Sequence, residues 1–323
     1  VKRGNKNISL LEKITSHAKF LLKSRLRVVF MGFELYRNCF HIIMCVRRNK
    51  YPIEAILRNG YRITLEDHID FISLSYFLSL AKNHPNELEY DIKENKTTFL
   101  SLPYETNNSK ITLYGSVTNG DAVAVFLDNI YGNLPVLGKT VIDIGANIAD
   151  SSIYFAVRGA KKVIGLEPLP KNYEIAKRNI ESNNLSNKIT LLLAGCAASH
   201  GTVSISPFDK GWIRSSAKNS SQGSKVPTLT LEDILKQNNL QNGELNILKM
   251  DCEGCEYDSI LSASRDVLRS FSYIQIEYHY GYKDLKYKLE ENGFIVSITK
   301  PTPAPEIENS GWKYYGYIYA RLA

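Results

Sequence analysis

From Lys139 onward, short apolar runs bounded by Gly, Asn and Pro alternate with longer segments whose apolar residues recur every three or four positions. The runs predict strands at 140–144, 162–167, 189–194, 245–251, 272–278, 293–299 and 314–321. The periodic segments predict helices near 148–158, 170–182, 230–238, 256–268 and 283–291. Such alternation implies an α/β fold, a mainly parallel sheet with helices on both faces. Right-handed crossovers then bring the carboxyl ends of the strands to one edge, where ligands bind. The last two strands are expected to be antiparallel, because the Pro-rich link between them has no helical pattern.

The first 110 residues read differently. Ile8 to about Ile43 is helical in two pieces, and Leu10, Leu11, Ile14, Ala18, Leu21 and Leu22 fall on one face among interleaved cations. A hairpin follows, Ile53–Ile63 about Asn59-Gly60, then a helix over Glu66–Leu80 and a second hairpin across Leu88–Leu102. Residues 1–110 therefore form a basic α+β accessory region. Residues 111–323 form the ligand-binding domain, entered through a helix over Asn119–Tyr131.

Charge sharpens this division. Residues 1–62 hold 14 lysines and arginines against three glutamates, a net +11, so the remainder carries −4. A basic amphipathic arm suits a solvated helix face first and peripheral contact with a membrane surface second. Nucleic acid is not an expected partner, since no nucleic-acid motif accompanies the charge. No apolar run approaches the ~18 residues of a membrane span, and no secretory signal is read. The five cysteines lack the spacing of a disulfide framework, which suggests a reducing, cytoplasmic setting. Cys252-Glu-Gly-Cys255 has C-x-x-C spacing, but neither a thioredoxin-like context nor a second ligand pair accompanies it.

Chemistry concentrates at the strand ends. Asp143 closes the first strand and is placed to orient the turn Gly145-Ala146-Asn147 and attract a cationic group. Gly145 permits a conformation closed to other residues, and Asn147 can cap the next helix. The turn lacks the second glycine that lets backbone approach a pyrophosphate. Glu167, before Pro168, closes the second strand and can accept two ribose hydroxyls. Gly195, after the third strand, leaves room for an adenine ring. A ribose-bearing cofactor without a pyrophosphate, such as S-adenosylmethionine (SAM), fits these features. Downstream, Lys249, Asp251, Glu253 and Glu256 follow an apolar strand, and alternation puts the first three on one side while the chain stays extended. Such clustering is expensive unless the groups pair or bind something. Glu277 and His279 end the neighbouring strand on one face. His279 is the candidate base, with Asp251 or Glu277 orienting it. Asp251, Glu253, Glu277 and His279 could instead hold a divalent cation, magnesium by ligand type, which is the less favoured reading.

Five segments in this order and spacing resemble the FkbM-type SAM-dependent methyltransferases: Val141–Asn147, Phe155–Ala160, Leu166–Pro170, Leu248–Glu256 and Ile276–His279. The likeness covers roughly residues 120–300. It implies a class I methyltransferase (Rossmann-like) fold, a seven-stranded, mostly parallel sheet with one antiparallel strand. It also implies cofactor contacts from Asp143–Asn147 and Glu167, and an acceptor region near Asp251, Glu253, Glu277 and His279. The expected reaction is O-methylation of a hydroxyl on a small molecule, glycan or lipid-linked acceptor. The family's Asn-Ile-Gly reads Asn147-Ile148-Ala149 here. Alanine is expected to be tolerated inside a first helical turn. Two rivals stay open: a nicotinamide-dependent oxidoreductase, and a degenerate module whose basic arm docks to a membrane or partner. Oligomeric state is not readable.

Overall fold

The computed structural model describes residues 29–66, 68–102, 110–115, 121–205, 224–240, 246–303 and 314–323. The amphipathic face from Leu10 to Leu22 lies outside them. The chain divides into two compact units, Val1–Asn86 and Glu87–Ala323.

In the first unit, residues 29–35 are helical and helix α1 follows at Cys39–Arg47. Strands β1 (Ile53–Ile56) and β2 (Arg62–Leu65) pair antiparallel, and α2 spans His68–Asn83. The Asn-Gly turn closes the hairpin as expected: Gly60 takes a φ of +89° and the Asn59 side chain accepts the Tyr61 amide at 3.0 Å. Tyr36, Ile42, Ile53, Leu65 and Phe77 are buried here.

The second unit begins before residue 110. Strands β3 (Leu88–Asp91), β4 (Lys96–Phe99) and β5 (Ile111–Tyr114) make an antiparallel meander. Helix α3 (Asp121–Phe126) ends before the expected Tyr131, and turns follow it; the expected start at Asn119 lies outside the described residues. Then come β6 (Thr140–Ile144), α4 (Asp150–Val157), β7 (Lys162–Leu166), α5 (Pro170–Ser182) and β8 (Ile189–Leu192). The meander belongs with this unit because Asn179 and Asn183 of α5 hold β5. Their side-chain oxygens accept the Tyr114 and Thr112 amides at 2.7 and 3.0 Å. A small sheet absent from the sequence expectations, β9 (Gly195–Cys196), β10 (Gly201–Ile205) and β11 (Ser224–Leu229), follows β8.

The chain continues through α6 (Leu231–Gln237), β12 (Asn246–Met250), α7 (Cys255–Ser262), α8 (Arg265–Arg269) and β13 (Phe271–Tyr278). It finishes with α9 (Lys283–Glu291), β14 (Phe294–Ile298), β15 (Thr302–Pro303) and β16 (Tyr314–Leu322). The helix expected over 256–268 is two helices. Ala263 turns extended, at φ −63° and ψ 137°, and the Ser264 hydroxyl caps the second helix at the Val267 amide.

The main sheet runs β14-β16-β13-β12-β6-β7-β8, with β15 added alongside β16. All neighbours are parallel except β16, which is antiparallel to both β13 and β14. This is the arrangement the resemblance implies. The central strands β6 and β12 are buried at every position, as a sheet covered on both faces requires. The order reverses direction between β6 and β12, so the crevice above these two carboxyl ends is the switch point where α/β sheets bind ligands.

Candidate active site

The turn after β6 is shaped by its neighbours. Gly145 has φ +78°, and a Cβ there would lie 1.8 Å from the Asp251 carbonyl oxygen, so only glycine fits. The Gly145 and Ala146 amides both donate to the Leu166 carbonyl of β7. The Asn147 amide, at φ +50°, donates to Glu167 Oε2 at 2.8 Å. Asn147 does not cap α4, as the sequence suggested; its side-chain oxygen accepts from Asn172 Nδ2 at 2.8 Å. The cap position belongs to Ala149, which sits left-handed at φ +66° and makes no side-chain cap bond. The expectation of a tolerated helical alanine therefore fails in its reason. Ala149 lies outside the helix, in the backbone region where glycine costs least.

Asp143 lies beneath this turn and does not open onto the crevice. It is fully buried, and its Oδ2 accepts the Ser151 and Ser152 hydroxyls at 2.7 and 2.6 Å. Its Oδ1 pairs with the buried Lys249 ammonium at 3.0 Å, from the residue directly opposite on β12. Gly165, its partner on β7, makes room for this arrangement, since a Cβ there would meet Ser152 Oγ at 2.9 Å. Lys249 also donates to the Gly145 carbonyl at 2.8 Å. Burial disfavours its charge, but Asp143, Asp251 and Asp150 outweigh that and hold the ammonium above the ordinary lysine range. The sequence placed Lys249 in the cluster without assigning it this work.

Asp150, the end of the glycine turn, is given no role by the sequence reading. It is buried at the start of α4, with Oδ1 accepting the Ser151 amide and Oδ2 lacking any hydrogen-bond partner. Burial raises its carboxyl to about 6, against the pull of Lys249. Asp143, Asp150 and Asp251 thus surround one lysine, leaving an excess of negative charge at the glycine turn.

Glu167 is buried at the end of β7. Its two oxygens accept the Asn147 and Leu169 amides at 2.8 Å each. Burial pushes its carboxyl up to about 8, while those two amides favour the ionised form. Each oxygen keeps a second lone pair for a ligand hydroxyl. Pro168 and Gly195 come together beside it: a Cβ on Gly195 would touch Pro168 Cβ at 3.8 Å, an ordinary contact.

On the other side of Gly145 the acidic segment ends β12. The chain does not stay extended through it. The Asp251 amide still bonds the Ile144 carbonyl, but Glu253 turns left-handed at φ +62° and Gly254 leads into α7 at φ +125°. Lys249, still inside the strand, points inward to Asp143. Cys252 and Cys255 are joined by a disulfide across this turn, their Cα atoms 5.5 Å apart, which corrects the expectation that the cysteines stay unpaired. Glu256, buried in the first turn of α7, accepts the Cys252 and Gly254 amides at 2.8 and 2.7 Å, and burial raises it to about 7.

His279 is buried where these elements converge. Its Nε2 lies 3.8 Å from Glu277 Oε1 and 3.9 Å from Glu253 Oε2, and its Nδ1 lies 4.0 Å from Glu256 Oε1. Asp251, Glu253 and His279 each offer a ligand atom within 4.8 Å of the others, so these three could hold a divalent cation. The rim beside them is aromatic. Tyr257 and Tyr280 pack edge to face at 5.7 Å, and the Tyr280 ring lies over Gly254.

The strand order and the glycine turn define a class I methyltransferase fold. Residues 143–296, just under half of the chain, match the model of the methyltransferase FkbM domain. Methyltransferase sdnD from Sordaria araneosa is 31% identical over 87 residues, covering 26% of this chain and 33% of its own length. The match thus spans about a third of that relative. Partial likeness in three dimensions extends to the METTL16 methyltransferase domain, at 13% identity and a TM-score of 0.42, covering 83% of this chain and 86% of that one. It also extends to M. capricolum TrmK in complex with S-adenosyl-homocysteine, at 15% identity and a TM-score of 0.36, covering 60% and 66%. No helix among the described residues is long and apolar enough to cross a membrane.

Proposed function

We propose that the protein transfers the methyl group of SAM to a hydroxyl oxygen of a small-molecule, glycan or lipid-linked acceptor. The observation that carries this reading is the charge at the glycine turn. Three buried or half-buried aspartates face one lysine, and a buried oxygen of Asp150 has no partner. Such a site favours a cationic ligand and disfavours a pyrophosphate, which argues against the nicotinamide reading.

SAM, when bound, supplies an electrophilic methyl on a positive sulfur. Glu167 is the residue to accept its ribose hydroxyls, Gly195 and Pro168 flank the space for its base, and Asp150 and Asp251 face its cationic end. On the acceptor side, His279 takes the hydroxyl proton as the nucleophile forms. Glu253, Glu256 and Glu277, all within about 4 Å of its ring, place negative charge where the imidazolium develops. The rest of the work is alignment of donor and acceptor and exclusion of water. A second reading rests on the close set of Asp251, Glu253 and His279: these residues would hold a divalent cation, which would supply Lewis acidity to lower the acceptor's pKa.

Calorimetric titration with S-adenosylhomocysteine tests the first half. Binding is expected, with Glu167→Gln and Asp150→Asn each weakening it; binding of NAD in its place overturns the reading. Methyl transfer to a panel of sugars, polyols and phenols tests the second half. His279→Asn should slow transfer by ~100–10,000-fold while leaving S-adenosylhomocysteine affinity nearly unchanged. Loss of activity with a chelator and recovery with magnesium would favour the cation.

A further inference from the structure

The first unit presents an apolar surface that its own core does not use. Gly32 meets Cys39 so closely that a Cβ on Gly32 would lie 2.9 Å from Cys39 Sγ, locking residues 29–35 against α1. Met31, Tyr36, Cys39 and Ile42 turn inward from this contact. The residue after each contact point turns outward: Phe33 is 44% exposed and Phe40 is 71% exposed. Phe30 is one helical turn before Phe33, on the same face, and 68% exposed. Helix α1 reads Cys-Phe-His-Ile-Ile-Met-Cys-Val-Arg, yet only Cys39 and Ile42 of it are buried. Phe30 and Phe33 share one face, and Phe40 stands exposed on the helix that packs against theirs at Gly32 and Cys39, which is more exposed aromatic surface than the scattered apolar residues of an ordinary surface.

The charge around these rings has one sign. Arg47, Arg48 and Lys50 are exposed at the end of α1, and none is paired with a carboxylate among the described residues. The two nearby glutamates are already engaged, Glu34 with Lys82 at 3.3 Å and Glu54 with Arg62 at 2.7 Å. Arg58 spends its hydrogen bonds on the Phe33 and Glu34 carbonyls, which fixes the end of the helical turn and adds its charge beside Phe33. Rings that can sink to the level of the acyl chains, with cations at the height of the headgroups, complement an anionic bilayer surface.

We propose that this unit docks on anionic phospholipid membranes, with Phe30, Phe33 and Phe40 inserted and Arg47, Arg48 and Lys50 against the headgroups. The inference stands apart from the methyl-transfer reading and survives its failure. The test is co-sedimentation of the full chain with vesicles of phosphatidylcholine, with and without phosphatidylserine. The chain should partition onto the mixed vesicles far more than onto phosphatidylcholine alone, and added salt should release it. Arg47→Gln/Arg48→Gln/Lys50→Gln should weaken partitioning by roughly 100-fold, at about fivefold per charge. Phe30→Ser/Phe33→Ser/Phe40→Ser should weaken it by at least about tenfold. The exposed single variant Phe40→Ser, checked by its thermal midpoint, guards against misfolding of the triple. Failure to bind mixed vesicles, equal binding to both vesicle types, or unchanged partitioning of the variants overturns the proposal. So does a lipid-free dimer that the phenylalanine variants split, because the face would then belong to a second copy.

Discussion

Asp143→Asn is the sharpest probe of how the glycine turn is held. The substitution keeps an acceptor for Ser151 and Ser152, so the ion pair with Lys249 is what it removes. Both partners are buried, Asp143 completely and Lys249 to within 2%. Taking one charge from a buried pair costs about 3–5 kcal/mol, because the other charge stays in low dielectric without compensation. Asp150 and Asp251 still face the ammonium, which puts the expected loss near the lower end, about 3 kcal/mol. For a unit of this size, 1 kcal/mol moves the midpoint by roughly 2–4 °C, so thermal unfolding of the full chain should begin about 6–12 °C lower. Lys249→Met should cost a similar amount. The double variant should recover about 2 kcal/mol or more relative to the sum of the singles, since it removes both charges. A shift below about 2 °C for Asp143→Asn, or strictly additive losses, would refute a coupled buried pair. On this geometry Asp143 acts by holding the turn, and its removal is felt first as lost stability.

Four further outcomes follow from the other residues of the site. Ala149→Gly should stabilise the protein by about 1 kcal/mol, because it relieves a left-handed alanine; a lower thermal midpoint would contradict this. Gly145→Ala should abolish S-adenosylhomocysteine binding and depress the midpoint, because the new Cβ falls on the Asp251 carbonyl; normal binding by calorimetry would show that the two turns can separate. Glu167, raised to about 8, must lose its proton to accept two ribose hydroxyls, so binding releases a proton below that pH. The affinity for 5′-methylthioadenosine should therefore climb as pH rises from about 6 to about 8 and level off above, a slope that Glu167→Gln should flatten; affinity that falls over this range has the wrong sign. The same shift makes the unliganded protein lose stability as pH rises from the ordinary glutamate range through about 8, since the folded state binds the extra proton there.

What the sequence made legible was whatever hydrophobic patterning dictates. Buried strands such as β6 and β12 are continuous apolar runs, and α5 carries a strong period, so their positions could be read directly. The small sheet β9–β11 could not be, because Ser224–Leu229 is polar, contains Pro227 and draws its order from pairing with β10 and β9. β5 was missed for a similar reason: it is four residues long and is secured by Asn179 and Asn183, far away in the chain. In the site, residue types at strand ends pointed to one edge of the sheet, and the structure gathers them at the carboxyl ends of β6, β7, β12 and β13. Their individual directions were not legible. Nothing about alanine signals a left-handed cap, and nothing in an alternating pattern reveals that the chain bends at Glu253 or that Lys249 pairs with Asp143. Asp150 drew no role because an aspartate in a first helical turn is ordinary until its burial is known.

The interlock between Gly145 and Asp251 has a consequence for how such a protein can change its diet. On the proposed function, the floor under the donor and the floor under the acceptor are two turns locked together by the Asp251 amide, the Gly145 carbonyl and the lysine between them. Neither half can be remodelled without dragging the other. On that reading, new acceptors are accommodated from above, by exchanging the tyrosines along the rim, while the interlocked floor stays as it is.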